Sequence, residues 1–281
     1  IKPATQCEAT QLVEKYCKSV GVECVPVGPV VYFKGFTRAF LAGETESSEV
    51  LLEKAGKAVD SLAKGKRVVI IDGVGYPAVG SICGTDNASM ARACGPLISS
   101  DHQSRNPAPV LLVGKSGVGD AVDSFNLNSA FFELVGVTVL GGIFNRLPLD
   151  GYYSLENCKA AVGSYFDQFK PGQKAFGFIP EVPEIAKSRE KNTEENSDGN
   201  NVLDMELEQA NKFVSTFEEH VDVDSIIKAA RDHCKLEDRS ILRPEKRIKP
   251  NDVKSNGVAK PISLTREQIE QSAKKGGAKG G

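Results

Sequence analysis

Three apolar runs, each ending in a glycine-rich or polar cluster, limit most sharply what this chain can fold into. They read RVVIIDGVG at 67–75, PVLLVGKSGVGD at 109–120 and VTVLGGIFNR at 137–146. Continuous β-branched runs of this kind suit strands covered on both faces, as in a parallel sheet flanked by helices. Such sheets bind ligands at the carboxyl ends of their strands. The clusters fall there, and Asp72 stands at the centre of the row.

Helical patterns separate the strands. Residues 10–20 place Leu12, Val13, Tyr16 and Cys17 on one helical face, and residues 49–62 form an amphipathic helix that ends before Gly65. Further helices are expected at 124–134 and 157–169, the second stopped by Pro171 and Gly172, and a last short strand at 175–179 ends at Pro180. Residues 22–32 are β-branched but broken by Pro26, Gly28 and Pro29, which predicts short extended pieces. Ile1, Lys2 and Pro3 read as the end of a strand entering a loop. The alternation of strand and helix gives an α/β class with a parallel sheet flanked by helices.

Composition narrows the function classes. A net charge of −2 gives no reason to expect nucleic acid or an anionic membrane as partner. No apolar run approaches the roughly 18 residues that a membrane span needs. Seven cysteines are scattered without paired CxxC spacing, which points to reduced thiols in the cytoplasm or an organelle matrix. Cys7, Cys83 and Cys94 fall near the strand-end clusters but have no base partner in the pattern, and His102, His220 and His233 lack triad or metal spacing. Residues 186–201 are polar and aperiodic, as a disordered insertion would be, and helical patterns return at 202–217 and 223–234. The globular domain therefore spans 1–235. Residues 236–281, rich in Lys, Pro, Ser and Gly, cannot bury enough apolar surface to offset their ordering entropy and read as a disordered tail.

Each candidate residue has two readings. Asp72, directly after four apolar residues, has the setting of an acidic Mg²⁺ ligand beside a nucleotide, or of a turn-forming Asp before Gly. Gly73 and Gly75 offer backbone amides to an anion. Lys2, before Pro3, reaches toward phosphate oxygens or is simply solvated. Glu8 either favours the start of the following helix or ligates metal. Asn145 hydrogen-bonds a base or caps a turn. Gly114-Lys115-Ser116 looks like the end of a phosphate-binding loop, but the pattern requires Gly where Pro109 stands. It reads better as a strand-to-helix turn.

Taken in order, Lys2-Pro-Ala-Thr, Asp72-Gly-Val-Gly, the 109–119 run, Gly141-Gly-Ile-Phe-Asn145 and Gly177-Phe-Ile-Pro180 resemble the dethiobiotin synthetase family. Its relatives are the cobyrinic acid amide synthetases and the nucleotide-binding domain at the N-terminus of some phosphate acetyltransferases. The resemblance spans 1–235, including EHVDVD at 219–224. It implies a three-layer sandwich like that of the P-loop NTPases. It also implies a ligase that uses ATP and Mg²⁺ to close a cyclic urea from a vicinal diamine and CO₂, through a phosphorylated carbamate.

By the same resemblance Lys2 is the catalytic lysine, Asp72 and Glu8 are metal ligands, Gly73 and Gly75 cradle substrate and phosphate, and Asn145 binds adenine. The partner is a small-molecule substrate, and the assembly a homodimer by family analogy. Two departures stand out: Asp72 where the family has Glu, and Tyr76-Pro77 where it has Gly after the second glycine. The family's P-loop strand would precede residue 1, so a fragment of a longer chain is expected, missing about one βαβ unit of roughly 30 residues. The alternative function is a nucleotide-binding regulatory or assembly module of the same fold without ligase activity.

Overall fold

The computed structural model describes residues 1–6, 11–98, 104–182 and 199–240, and strands alternate with helices along most of that length. The order is β1 (Ala4–Thr5), α1 (Leu12–Ser19), β2 (Val30–Val31), α2 (Phe36–Leu41), α3 (Ser48–Ala63), a 3₁₀ turn (Ser81–Cys83), α4 (Asn87–Cys94), β3 (Val110–Gly114), α5 (Gly119–Glu133), β4 (Val139–Leu147), α6 (Leu155–Phe169), β5 (Lys174–Pro180), α7 (Gly199–His220) and α8 (Val223–Ser240). All ladders between these strands are parallel: β1 pairs β2, and β3, β4 and β5 pair in that order.

The central strand β4 shows why its sequence is apolar on both faces. Val139 and Phe144 bury into a cluster with Phe125 and Phe132 of α5 and Cys158, Val162 and Phe166 of α6. Leu140 and Ile143 bury into the opposite cluster, which α7 and α8 close with Phe213, Phe217, Ile226 and Ala230. Helices thus cover both faces, and the chain is a three-layer α/β structure, as its pattern of runs predicts. Aromatic rings fill the first cluster edge to face and stacked: Phe125 and Phe166 lie 4.8 Å apart, Phe144 and Phe178 5.4 Å. Each fully buried ring adds about 1.5–3 kcal/mol by leaving water.

A second core lies under β1 and β2. There α3 presents Leu51, Ala55 and Val59 at helical spacing. Helix α4 serves both cores, sending Ala88 and Ala91 into the β4 cluster and Met90 and Cys94 into the β1 cluster. Its start is fixed by Asp86, whose carboxylate accepts the N–H groups of Ala88 and Ser89 at 3.0 Å.

Several expectations need correction. Residues 67–72 form no regular strand; only Ile70 and Asp72 bond a neighbour, through the Ile1 amine to the Ile70 carbonyl (2.9 Å) and the Asp72 N–H to the Ile1 carbonyl (2.8 Å). Val69 and Ile71 pack inward, whereas Val68 is 50% and Ile70 77% exposed. The run has a hydrogen-bonded neighbour on one edge, and the face that carries Val68 and Ile70 stays open. Lys2 does not end a strand, because the hydrogen-bonded segment continues through β1 to Thr5. Helix α1 buries none of its residues, and its Leu12 and Val13 are exposed. Helices α2 and α4 were not legible, and α5 begins at Gly119, a turn earlier than its apolar pattern.

Of the expected insertion, 199–201 belong to α7 and the rest lies outside the described residues. Helix α8 runs past the expected boundary at 235 to Ser240, and the remainder of the tail is likewise outside the described residues. No described helix is long and apolar enough to cross a membrane.

Candidate functional site

Lys2 and Asp72 meet because the Ile1–Asp72 backbone bond sets their chains side by side. The Lys2 Nζ donates to Asp72 Oδ2 at 2.8 Å, with the lysine side chain 21% and the carboxylate 57% exposed. Asp72 Oδ1 takes part in no hydrogen bond among the described residues. This is a charged pair at a rim, open to water on its acidic side. It can hold an anion through the ammonium or a hard cation through the free carboxylate oxygen.

The glycine loop after Asp72 is shaped from a distance. Asn87, the first residue of α4, accepts the Val74 N–H at 2.9 Å and donates to the carbonyls of Val74 (2.9 Å) and Tyr76 (2.8 Å). A Cβ on Gly73 would stand 2.8 Å from the Asn87 Oδ1, so a side chain there would displace the Asn87 amide from the loop. Gly75 turns the chain with φ +58°, a conformation that costs glycine nothing. The sequence reading missed Asn87 altogether. Its bonds span 11 to 13 residues, and no local pattern announces them.

Beside the loop a cleft of about 240 Å³ opens past the ends of β1 and β2. Gln6, Tyr32, Thr37, Gly80, Ser81 and Cys83 line it. The Tyr32 hydroxyl hydrogen-bonds the buried Thr85 at its Oγ1 (2.8 Å) and donates to its carbonyl (3.1 Å), and burial pushes the phenol up from its ordinary range. Burial also raises the Cys83 thiol, against a lowering hydrogen bond from Thr37. A larger hollow of about 330 Å³ lies between β5 and the α7–α8 junction and shares no residue with this site.

The remaining candidates are dispersed. Asn145 sits near the end of β4, half-buried, and its Oδ1 accepts the N–H of Arg146, the one described non-glycine residue with positive φ (60°). No hydrogen bond joins Asn145 to Lys2 or Asp72 among the described residues. Glu8 and Cys7 lie outside the described residues. The 114–119 loop is a strand-to-helix turn whose Lys115 faces Asp120, in the first turn of α5, at 3.7 Å. The structure therefore brings together Lys2, Asp72, Gly73 and Gly75, and holds Asn145 by its bond to Arg146 at the end of β4.

No group of three or more His, Cys, Asp or Glu side chains able to hold a metal occurs among the described residues. Mg²⁺ asks for less, since it keeps most of its waters and takes one or two carboxylates plus phosphate oxygens. The free Asp72 Oδ1 fits that demand. Comparison with family models, curated proteins and solved structures found no match.

Proposed function

We propose that this chain is an ATP- and Mg²⁺-dependent ligase of the dethiobiotin synthetase type, closing a cyclic urea from a vicinal diamine and CO₂. One observation carries the reading: the Lys2–Asp72 pair at 2.8 Å opens onto a glycine loop whose shape Asn87 fixes. A cation and a potential metal ligand side by side, next to free backbone amides, are the parts that phosphoryl transfer uses.

In this reading the first amine of the substrate takes up CO₂ as a carbamate. A carbamate oxygen attacks the γ-phosphorus of ATP, and ADP leaves. The second amine then attacks the carbonyl carbon, phosphate departs with its C–O bond, and the amine loses a proton as the ring closes. Lys2 holds the transferring oxygens and spreads their charge. Asp72 would hold Mg²⁺, which when bound neutralises phosphate charge. Gly73 and Gly75 let backbone approach the phosphate side, and the Asn145 amide faces adenine. Glu8 is proposed as a second carboxylate. The homodimer expected by analogy belongs to the same proposal.

The backbone groups of Val69 and Ile71 and the edge of β3 away from β4 have no partner among the described residues, while the flanking Val74 and Ala108 donate their N–H groups to Asn87 Oδ1 and the Ala91 carbonyl of α4. In this reading a further strand pairs with an open edge.

The test pairs two measurements. Calorimetry should show ATP·Mg²⁺ binding that Asp72→Asn weakens; equal binding by variant and parent overturns the metal role of Asp72. ADP release that rises with diamine and bicarbonate supports the ligase. Slow, unstimulated hydrolysis supports instead a nucleotide-binding regulatory module.

A further inference from the structure

The cleft past the ends of β1 and β2 has a wall without charge. Gln6, Tyr32, Thr37, Gly80 and Ser81 contribute to it, and among the described residues no Asp, Glu, Lys, Arg or His side chain does. Asp86, next to Thr85, spends its carboxylate on the first turn of α4, accepting the N–H groups of Ala88 and Ser89 and the Ser89 hydroxyl (2.9 Å). The depth of the cleft depends on Gly80, at φ +96°. A Cβ there would stand 2.7 Å from the Thr85 carbonyl oxygen and 2.9 Å from the Tyr32 hydroxyl. The Ser81 hydroxyl donates to the Ala78 carbonyl at 2.6 Å, which leaves its oxygen able to accept, and the Gln6 amide offers a donor and an acceptor.

Size and position say what part of a ligand fits. At about 240 Å³ the cleft is smaller than the roughly 300–1,000 Å³ of a pocket that takes a whole ligand, so it suits one end of a molecule. It adjoins the Lys2–Asp72 pair on two sides. Val79 of its wall lies against the glycine loop, with Cγ2 3.1 Å from where a Gly75 Cβ would stand. Gln6 follows Lys2 by four residues, a reach of at most about 14 Å.

We propose that this cleft binds the far end of the substrate and selects a neutral, hydrogen-bonding end, of which a primary amide is the model, while the reacting amines face Lys2 and Asp72. An ionised end would give up hydration there and meet no countercharge. A neutral amide exchanges its water for the Gln6 amide and the Ser81 oxygen at little cost. The place of the reacting amines rests on the ligase reading; the preference of the cleft for a neutral group does not.

The first test needs no reaction. Pentanamide, pentanoate and pentylammonium share one chain length, and each is titrated into the isotope-labelled whole chain while the amide signals of Gly80, Ser81 and Cys83 are followed by NMR. Pentanamide should shift these signals to saturation, and the two ions should bind about tenfold more weakly. Thr37→Phe, which fills the cleft from an exposed position of α2, should abolish the shifts. The proposal is overturned if pentanamide leaves the signals in place, if either ion binds as well, or if a folded Thr37→Phe binds like the parent. The three titrations of the parent decide the matter even where the variant fails to fold. The second test measures ADP release with vicinal diamines carrying the same three ends. The amide-ended diamine should have a KM about tenfold below the others at similar kcat. Equal KM values overturn the assignment of the cleft to the substrate's far end. Failure of every diamine to stimulate ADP release overturns the ligase reading, and the fragment titrations then decide the neutral preference of the cleft by themselves.

Discussion

At the scale of single residues, the proposed roles of Lys2 and Asp72 can be separated from their share in stability. Their pair is partly exposed, so its contribution to folding is at most about 1 kcal/mol. A cation facing a transferring phosphoryl group is worth far more to the reaction. Lys2→Met is therefore expected to lower diamine-stimulated ADP release by on the order of 10²-fold while moving the denaturant midpoint little. Loss of both together would assign Lys2 a structural role.

Asp222 is the opposite kind of residue, one that answers to pH. The Ser225 hydroxyl and then the Lys174 ammonium, which donates at 2.9 Å, hold its carboxyl at about 2, below the ordinary 3.8. A carboxylate depressed on folding stabilises the fold above its unfolded pKa, and that contribution fades as pH falls from about 4 through 2. Replacing Asp222 with Asn should flatten this part of the acid limb in a urea-midpoint series against pH. An unchanged slope would show that the network at the start of α8 does not persist in solution.

At the scale of elements, the best-read parts were those with a packed apolar face. Strands β3, β4 and β5 and helices α3 and α6 follow their apolar periods because each finds a packed face. The 67–72 run carries the same pattern and yet is no strand: among the described residues it bonds only Ile1, and Val68 and Ile70 stay exposed. Helices α2 and α4, of 6 and 8 residues, lie too close to glycines for a period to emerge. Of the site, Lys2, Asp72 and the glycines were legible as strand-end residues. Asn87, held by tertiary hydrogen bonds alone, was not.

The β4–β5 ladder makes its own prediction. Gly141 lies at φ +149°, and a Cβ there would fall inside the Lys174 carbonyl of β5. Gly141→Ala should cost on the order of 4 kcal/mol, read from chemical denaturation, since neither backbone can retreat without breaking the ladder. A loss below about 1 kcal/mol would mean that the register differs from the one described.

At the scale of the whole molecule, open strand edges govern behaviour in solution. Ile70 and, on the edge strand β3, Val113 (68% exposed) present apolar side chains beside unpaired backbone, a template for pairing with other chains. Ile70→Lys should suppress concentration-dependent self-association seen by light scattering while leaving the β4 core intact. Equal association of variant and parent would place the contact elsewhere.

Helix α4, lodged in both cores and carrying Asn87 at its first position, has a consequence for how the protein comes apart. A structure with separate hydrophobic clusters invites melting in steps, one part yielding while another persists. Here the eight residues of α4 cannot leave one cluster without stripping side chains from the other and releasing the glycine loop as well. The amides of α4 then exchange with solvent only when everything opens, and the loop beside Lys2 takes its rigidity from global stability instead of from its own short span.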